Sequence, residues 1–558
     1  MKFVNDFNFY GQETAKQIPC ITGKGAPTET TDGAVGCFYM NTDNGDVYKC
    51  VSVIDGVYTW RKDKVVIEAD QTYEPESTNA QSGKAVAEAV QSAVGEICVS
   101  TEAELLNAIA NNIGTITLRK NAVIPISQYI ELPEYTVLNG NSATLVRQAG
   151  FEGTLIRMLP NCRLYDLIID GNRGAVTNPI WSETIEISTR ANCIVENVRI
   201  NNGNEAICAC QDNVVIRNCK ITNCSGNGIH FSGGINIKAE NNYIYNVNRL
   251  WFENGESIQT IGHEDGGIIW SNLCDYVTCT GNYVENAKSV FGAIDSDDNS
   301  HIKLIGNTGK NCSCAIDTMH DSTVFNEGKT CGTPTDVIIS ENEFINCGEL
   351  QVKEVSITST DNFRFIISNN IFNNTTIHLL SARYVTIANN IMVNLTKSVT
   401  VQACKDIVIS GNKISGNFDN LIYIARSENV NITDNILETS GTVIDATSAN
   451  AKVIVKGNIA ENPSSVSSTC LRLGNGVLCS GNRLSIKAGT GILVESNVIC
   501  TDNMIICADT NLIAIRNYGG NTNHIVMNNL SNGAFQLSAG TESGIQSNNI
   551  SCASLEYA

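Results

Sequence analysis

Several residues with acid–base or stacking chemistry recur at a fixed offset along this chain. Each lies twelve residues before an Asn that itself recurs, and the set comprises His230, Trp270, Asp295, Thr358 and His378. The string CAID (314–317) repeats GAID (292–295) 22 residues later, which adds Asp317. Each member follows an apolar residue expected to point inward, so strand alternation turns the member outward. The pattern predicts one exposed stripe of reactive side chains.

Two aspartates in this stripe could form an acid–base pair. If Asp295 and Asp317 lie on neighbouring strands, their backbones are about 5 Å apart. Like charges at that distance raise one pKa, which supplies a general acid near neutral pH. Asp297 would face the same way as a third carboxylate. Such carboxylates suit glycoside hydrolysis, and the sequence leaves open a retaining or an inverting mechanism. The alternative is that solvent-facing positions are simply polar.

Two long insertions border the predicted stripe. One (248–265) enters before the Trp270 strand, and the other (318–334) leaves after Asp317, so they could wall a cleft. Aromatic rings beside polar groups suit a sugar-binding groove. The predicted substrate-binding residues are His230, Trp270, Trp251, Glu264, Asp265, His320 and His378.

A metal-based site is not expected. The string DSDDN (295–299) resembles the start of a calcium loop, but it lacks the Gly at position 6 and the Glu at position 12. The Cys-x-Cys pairs, Cys208 with Cys210 and Cys312 with Cys314, are weak metal signals. We therefore expect no metal, no zinc site and no other cofactor.

A repeat that organises most of the chain must position these residues. From about residue 190, short β-branched runs alternate with Asn, and twelve of the fourteen successive gaps between Asn anchors measure 20 to 28 residues. The anchors are Asn197, Asn218, Asn242, Asn282, Asn307, Asn342, Asn370, Asn390, Asn412, Asn435, Asn458, Asn482, Asn503, Asn529 and Asn549. The runs lack the helices and consensus of a leucine-rich repeat, so they predict a parallel β-helix, an all-β solenoid. Asn tolerates a left-handed corner and can bond to the next coil's Asn.

The chain before the repeat divides into further segments. Residues 1–64 predict a small β domain with hairpins around Asn44 to Asp46. Residues 65–98 predict a linker and a helical neck, since Val86, Val90, Ala93 and Ile97 have coiled-coil spacing; an ordinary linker helix is the alternative. Residues 99–558 predict the β-helix, in which a helix at 101–111 caps the open end.

Composition excludes some partners. The 558 residues carry a formal net charge of −20, which argues against nucleic acid and anionic membranes because phosphate binding needs a positive field. No run of 18 apolar residues exists, so no membrane insertion is expected. In a chain this long we expect the 22 cysteines to be mostly buried free thiols.

Two segments resemble a known group of proteins. GAVGCFYMNTDNGDVYKCV (33–51) and ADQTYEPESTNAQSGKAVAEAV (69–90), together with a capping helix that leads into a β-helix, are similar to bacteriophage tailspike and tail-fibre proteins. The β-helix resembles the right-handed, pectin-lyase-like fold. The resemblance implies a homotrimer, an N-terminal part that anchors to phage tail or baseplate proteins, and a β-helix that binds and often cleaves a surface polysaccharide. The polygalacturonase residue set is absent, so no catalytic residue is transferred from that family.

These observations lead to one functional hypothesis with two alternatives. The chain is expected to be a virion tailspike, assembled in the host cytoplasm, that binds and hydrolyses a bacterial surface polysaccharide. A non-catalytic receptor-binding fibre, or a polysaccharide lyase with a His or Lys base, would use the same groove. The sequence leaves open whether the site lies within one chain or between chains.

Overall fold

The computed structural model describes most of the chain. The described residues are 20–35, 37–43, 47–62, 97–175, 185–247, 266–292, 301–317, 336–353, 364–448, 451–466, 468–495, 497–517, 523–537 and 545–552. The chain forms two compact units, Met1–Ser92 and Ala93–Ala558. Each unit is described by itself below.

The first unit contains a four-stranded sheet. Its strands are β1 (Cys20–Gly23), β2 (Phe38–Asn41), β3 (Val47–Ile54) and β4 (Val57–Lys62). Strands β1 and β2 run parallel, whereas β2–β3 and β3–β4 are antiparallel hairpins. The predicted hairpin around 44–46 is confirmed by the β2–β3 pairing. Tyr39 packs edge-on against Tyr48 and Trp60 and fills the small core.

The second unit is a right-handed parallel β-helix, as predicted. Three parallel sheets run along it, and each complete coil contributes one strand to each sheet. Sheet 1 contains β5 (Ile97–Val99), β6 (Thr115–Leu118), β9 (Val137–Asn139), β12 (Arg163–Tyr165), β15 (Ile194–Glu196), β18 (Val215–Arg217), β21 (Lys238–Glu240), β24 (Thr278–Thr280), β27 (Ile302–Ile305), β30 (Val337–Ser340), β33 (Phe365–Ser368), β36 (Val385–Ala388), β39 (Lys405–Ser410), β42 (Glu428–Thr433), β45 (Ala451–Lys456), β48 (Val477–Ser480), β51 (Ile499–Thr501), β54 (Ile525–Met527) and β57 (Ile545–Ser547).

Each sheet 2 strand follows a sheet 1 strand after a short corner, and a sheet 3 strand completes the coil. Sheet 2 contains β7 (Val123–Ile126), β10 (Thr144–Arg147), β13 (Ile168–Asp170), β16 (Arg199–Asn201), β19 (Lys220–Thr222), β22 (Tyr243–Tyr245), β25 (Tyr283–Glu285), β28 (Thr308–Lys310), β31 (Glu343–Ile345), β34 (Ile371–Asn373), β37 (Ile391–Leu395), β40 (Lys413–Gly416), β43 (Ile436–Thr439), β46 (Ile459–Asn462), β49 (Arg483–Ile486), β52 (Met504–Cys507), β55 (Leu530–Ser531) and β58 (Ile550–Ser551). Sheet 3 contains β8 (Ile130–Leu132), β11 (Ile156–Met158), β14 (Ile185–Thr189), β17 (Glu205–Ala209), β20 (Ile229–Ile235), β23 (Ile268–Asp275), β26 (Ser289–Gly292), β29 (Cys314–Asp317), β32 (Glu349–Lys353), β35 (Thr376–Leu380), β38 (Val399–Gln402), β41 (Asn420–Ala425), β44 (Thr442–Ser448), β47 (Thr469–Leu473), β50 (Thr490–Val494), β53 (Ile513–Asn517) and β56 (Ala534–Gln536).

A short helix, α1 (Glu102–Ala110), packs against β5, β7 and β8 at the start of the solenoid. Thr101 and Glu104 form the predicted capping box, in which each side chain bonds to the other residue's backbone. Leu105 and Ala108 turn inward and are buried. A single 3₁₀ turn (Arg173–Ala175) also occurs in the described part of the chain.

The predicted helical neck needs one correction. Ile97 is the first residue of β5 and pairs with Ile116 in sheet 1, so the coiled-coil spacing cannot extend to it. Val86, Val90 and Ala93 lie outside the described residues.

Aliphatic side chains fill one continuous core along the solenoid. The cysteines that the structure describes carry free thiols, and most of them are buried in this core. This confirms the sequence expectation for those residues. Among the described helices, none has the length and apolarity that crossing a membrane would require.

A buried Asn ladder lines the corner between sheets 1 and 2. At each step, both the backbone N–H and the side-chain amide of one Asn donate to Oδ1 of the next. Asn390, for example, donates to Asn412 with both groups at 2.9 Å and also donates to the carbonyl of Ile367. The ladder consists of Asn242, Asn282, Asn307, Asn342, Asn370, Asn390, Asn412, Asn435, Asn458, Asn482, Asn503, Asn529 and Asn549.

The sequence predicted that one Asn at each corner both adopts the left-handed backbone and bonds to the Asn of the next coil. In the structure, two neighbouring residues divide these roles. The ladder Asn is buried, while the residue before it has the left-handed backbone, as at Asn389 (φ 56°) and Gly411 (φ 66°). Asn197 and Asn218 are themselves left-handed, so they were wrongly placed in the ladder. In the Asn218 coil, Cys219 occupies the ladder position and its N–H donates to Asn242.

Candidate functional site

The longest connections within the solenoid border sheet 3. Segments 176–184 and 246–267 lead into β14 and β23, whereas 293–301, 318–336 and 354–364 follow β26, β29 and β32. The corner between sheets 1 and 2 is short throughout the ladder. Loops beside a rigid sheet are where binding residues are usually placed, so the outward face of sheet 3 is the candidate site.

Strand register defines one outward column on this face. In order along the solenoid, Cys208 pairs with His230, His230 with Ile269, Ile269 with Gly292, and Gly292 with Asp317. Ile316 pairs with Leu350, which places Asp317 beside Gln351. The column then continues through Gln351, His378, Thr400, Tyr423, Asp445, Arg472, Leu493, Arg516 and Gln536. We call the part from Gln351 to Arg516 the polar column. His230, Asp317 and His378 therefore share a column, as the sequence predicted.

Two members of the predicted stripe are not in this column. Trp270 pairs with Phe231, is fully buried and packs against Phe291, so its predicted role as an exposed stacking platform is wrong. Gly292, and not Asp295, lies opposite Asp317, so the predicted alignment of the two aspartates is also wrong. The cause is the variable connection between sheets 3 and 1: His230 precedes its ladder Asn by 12 residues, but Gly292 precedes Asn307 by 15.

The structure does not describe the remaining predicted site residues. These residues are Asp295, Asp297, Trp251, Glu264, Asp265, His320 and Thr358. Of Asp317, the structure describes the backbone.

A carboxylate beside the column joins several polar groups. Glu349 is two residues before Gln351 on β32; its Oε1 accepts from Lys397 Nζ at 2.9 Å, and its Oε2 accepts from Gln351 Nε2 at 3.2 Å. Nδ1 of His378 lies 3.4 Å from Oε2. The hydrogen bond from His378 and the charge of Lys397 lower the pKa of Glu349 to about 2, despite partial burial. Glu349 is therefore a permanent carboxylate at neutral pH.

Two polar atoms next to Glu349 have no hydrogen-bond partner within the described part of the chain. They are Oε1 of Gln351 and Nε2 of His378, and both atoms are buried. An unpaired buried polar atom costs free energy, and such atoms bind ligand groups readily because pairing removes that cost. The Gln351 and His378 pair thus offers an acceptor and a ring nitrogen side by side.

Further along the column, an ion pair fixes a second carboxylate. Oδ1 of Asp445 accepts from the backbone and hydroxyl of Thr447, and Oδ2 accepts from Arg472 Nη1 at 3.1 Å. The Asp445 side chain is only 5% exposed, whereas Arg472 is 42% exposed. Tyr423 precedes Asp445 in the column and stays half-buried, with its hydroxyl 3.4 Å from Ser448 Oγ. An aromatic ring beside a fixed guanidinium suits a sugar with its apolar face and hydroxyls.

The spacing of the carboxylates limits which of them could act together. Glu349 pairs with Cys314 on the strand that also carries Asp317, which puts the Asp317 and Glu349 backbones about 8 Å apart. Asp445 lies four coils from Glu349, or about 19 Å away. The two carboxyl groups that cleave a glycosidic bond lie about 5 to 9.5 Å apart, so the backbone positions of Asp317 and Glu349 are compatible with such a pair, whereas Asp445 is too far from Glu349.

A different surface flanks the Asn ladder corner on both sides. One outward column on each of sheets 1 and 2 is mostly aliphatic from residue 338 onward, and we call these two columns the aliphatic strip. On sheet 1 a second outward column lies between the strip and the corner, and it is mostly polar, with Ser340, Ser368, Ser410, Thr433, Lys456 and Ser480. The strip comprises Ile338, Ile366, Val408, Ile454, Leu478, Ile499 and Ile525 on sheet 1, and Ile371, Ile391, Ile436, Ile459, Met504, Leu530 and Ile550 on sheet 2. Ile436, Ile459 and Ile550 are 52%, 51% and 59% exposed. The strip extends for about 40 Å, and exposed apolar side chains aligned over that length are typical of an interaction surface.

Sequence reasoning missed Glu349, Lys397, Tyr423, Asp445 and Arg472. The offset of twelve residues does reach Tyr423, which precedes Asn435 and was left out of the stripe, but it misses Asp445 and Arg472, which precede their anchors by 13 and 10 residues because the connection after sheet 3 varies in length. The inward–outward alternation of each sheet 3 strand, aligned strand by strand, would have found the column members. In TIHLL (376–380), for example, His378 is the outward residue between buried Ile377 and Leu379.

Comparisons with known proteins found one matching family model and several solved structures with a similar fold. A family model described as a right handed beta helix region matches residues 327–484. The pre-mature gene product 12 of bacteriophage phi29 is 12% identical, with a TM-score of 0.45, over 80% of this chain and 70% of that chain. A tailspike protein mutant of E. coli bacteriophage HK620 is 13% identical, with a TM-score of 0.39, over 75% and 73%. A surface adhesin of Streptococcus pneumoniae is 14% identical, with a TM-score of 0.30, over 76% and 90%. No curated protein matches this sequence.

Proposed function

We propose that this chain is a bacteriophage tailspike that binds a bacterial surface polysaccharide along the outward face of sheet 3 and hydrolyses it. The polar column carries this proposal, because it aligns hydrogen-bonding, charged and aromatic side chains over successive coils spaced about 4.8 Å apart. A linear polymer of sugars offers hydroxyls and apolar ring faces at repeated intervals along such a surface. The long connections that border β14 to β32 would supply the walls of the groove.

Binding uses the groups that the column leaves available. Arg472 and the Gln351 and His378 pair hold hydroxyl or acidic groups of the sugar, and Tyr423 stacks on a ring. His230, Trp251, Glu264, Asp265 and His320 remain proposed substrate contacts on the first half of the same face.

Cleavage is assigned to carboxylates at the junction of β29 and β32. Asp317 is the proposed general acid, and Glu349 is the described carboxylate at a suitable distance for the base or nucleophile. Asp295 and Asp297 follow β26 one coil earlier, and they remain proposed members of the same group. The low pKa of Glu349 keeps this carboxylate ionised, which excludes it as a proton donor and favours a nucleophile over a general base.

A non-catalytic adhesin is the second candidate. It is favoured by the pairing of Glu349 with Lys397 and of Asp445 with Arg472, since carboxylates held by cations are typical of binding surfaces. A receptor-binding spike of this kind would use the same face without Asp317 as an acid.

The aliphatic strip supports the proposed homotrimer. Three copies side by side would remove the strip from water, and burial of apolar surface stabilises association by about 25 cal/mol per Å². The resemblance of residues 33–51 and 69–90 to tail proteins supports attachment of the N-terminal unit to the phage tail or baseplate. The proposed location is therefore the virion, after assembly in the host cytoplasm.

Incubation with purified capsule or wall polysaccharide tests this function, with the products sized by gel filtration. Wild-type protein should shorten the polymer without producing an ultraviolet-absorbing, unsaturated product. Glu349→Gln should reduce cleavage, while Glu428→Gln, a matched change of an ion-paired sheet 1 residue, should not. Unshortened polymer that still binds would establish the adhesin instead, and an unsaturated product would establish a lyase.

A further inference from the structure

Three different metal-ligand groups converge on the sheet 3 face near its first insertions. Cys208 on β17 and His230 on β20 are direct partners across two coils, and Glu205 Oε1 lies 2.9 Å from His230 Nδ1. One donor atom from each of Glu205, Cys208 and His230 can be chosen so that all lie within 4.8 Å of one another. Small side-chain movements would place all three around one cation.

A second thiol lies beside this group. Cys210 follows β17, and its Sγ is 3.5 Å from the Sγ of Cys208. A disulfide requires about 2.05 Å, so the two sulfurs are separate. Two thiolates that share one tetrahedral zinc ion at about 2.3 Å are roughly 3.7 Å apart. The observed separation therefore fits a shared cation better than a covalent bond.

The four residues of the cluster differ in their exposure to solvent. Glu205 and Cys208 are 5% and 6% exposed, whereas His230 is 19% exposed and Cys210 is partly exposed. A carboxylate with so little solvent needs a positive partner, and at present it shares a hydrogen with His230. A cation could enter from the solvent side and take the place of that hydrogen.

The charges around the cluster also suit a divalent cation. Two thiolates, one carboxylate and one neutral imidazole around a doubly charged ion leave one net negative charge. Arg190 bonds to the Ser188 hydroxyl and the Thr189 carbonyl, and it interacts electrostatically with both cysteines. Its positive charge would neutralise the complex.

The geometry points to a zinc-class site in which Glu205, Cys208, Cys210 and His230 bind one borderline-soft divalent cation. This departs from the sequence expectation of no metal, because the spacing of Cys208 and Cys210 is a weak signal until the coil register brings His230 and Glu205 beside them. The ion would join two successive coils and stabilise the start of the candidate binding face. The site shares His230 with the proposed substrate contacts, but it includes none of the carboxylates proposed to cleave the polysaccharide.

Metal analysis of the full-length protein tests this inference. After chelation and gel filtration, zinc alone should bind at one ion per chain, as measured by competition with a chromophoric chelator and by elemental analysis. Cobalt(II) should give the visible absorption of a tetrahedral thiolate site. Bound zinc should also raise the melting temperature, since it binds only the folded coils.

Matched variants distinguish this site from adventitious binding. Cys208→Ser and His230→Gln should each weaken zinc binding about 100-fold. Cys224→Ser, at a buried thiol on another part of the coil, and His378→Gln should leave the affinity unchanged. Zinc stoichiometry that is the same in all four variants, or wild-type protein that binds no zinc while Cys210 reacts freely with a thiol reagent, would overturn the inference.

Discussion

The polar column and the aliphatic strip occupy the same coils but have opposite chemistry. Both consist of outward residues of parallel strands, and both lie over the same aliphatic core. The polar column from Gln351 to Arg516 includes one aliphatic residue, Leu493, whereas the strip is interrupted by four polar ones, Thr386 and Asn431 on sheet 1 and Lys413 and Arg483 on sheet 2. The inward residues thus determine the solenoid, and the outward residues are free to give each face its own function.

The corners beside the two surfaces differ in the same way. The Asn ladder keeps the corner between sheets 1 and 2 at constant length, so the two columns of the strip stay aligned from coil to coil and are suited to packing against an identical chain. The connections on both sides of sheet 3 vary in length, so they can form walls around a ligand without disturbing the strands. A corner of constant length therefore favours packing against another copy of the chain, and connections of variable length favour ligand binding.

The largest effect is expected from placing charge in the strip. The double change Ile436→Asp and Ile459→Asp should reduce the mass from three times 60.1 kDa to 60.1 kDa by light scattering, because buried unpaired carboxylates oppose association. Thr400→Asp on the polar column should leave the mass unchanged. If the double variant still formed the trimer, the aliphatic strip would not be the surface that joins the chains.

The next largest effect is expected from changing Asp317, the proposed general acid on the sheet 3 face. Asp317→Asn should lower polysaccharide turnover by about 10² to 10⁴-fold, the usual contribution of a general acid, with melting temperature unchanged. Asp295→Asn and Asp297→Asn, measured in parallel, would rank the other proposed carboxylates. Full activity in all three variants would contradict the proposal that these carboxylates hydrolyse the polysaccharide.

The ladder beneath the strip should matter for stability alone. Asn412→Ala removes the acceptor of two Asn390 donors, so it should destabilise the protein by about 2 to 4 kcal/mol in denaturant unfolding. Asn431→Ala, on the outward side of β42, should change stability by less than about 0.5 kcal/mol. Equal effects of the two changes would argue against the ladder as a support of the corner.

A smaller effect is expected at the aromatic member of the polar column. Tyr423→Ala should weaken polysaccharide binding about tenfold by removing a stacking surface, with little change in the rate constant of cleavage. Ile454→Ala on the strip is the matched control, and its binding should equal that of the wild type. Titration calorimetry with a defined oligosaccharide measures both.

The smallest effect concerns pH. Because the folded pKa of Glu349 is about 2 and its ordinary value is 4.5, its ion pairs stabilise the fold above pH 4.5 and are lost as the pH falls toward 2. The melting temperature of wild type should therefore fall more between pH 7 and pH 3 than that of Glu349→Gln. Parallel curves for the two proteins would show that the pairing with Lys397 contributes no stability.

The repeat made the fold predictable, and its irregularity limited prediction of the site. The β-branched runs and Asn spacing predicted the parallel β-helix, and Thr101 with Glu104 predicted the capping helix, because these signals are local. Predicting the polar column would have required the register between strands that are distant in the sequence. Counting from the ladder Asn fails wherever the connection after sheet 3 changes length, which is why Trp270 was placed on the surface and Asp295 opposite Asp317.

A crystal structure of the protein with an oligosaccharide of its target polymer would show directly which face binds sugar. Sugar density is expected along the outward face of sheet 3, in contact with Tyr423 and Arg472, with the aliphatic strip buried between copies of the chain. Sugar bound on the strip, or a polar column buried between copies, would contradict this expectation.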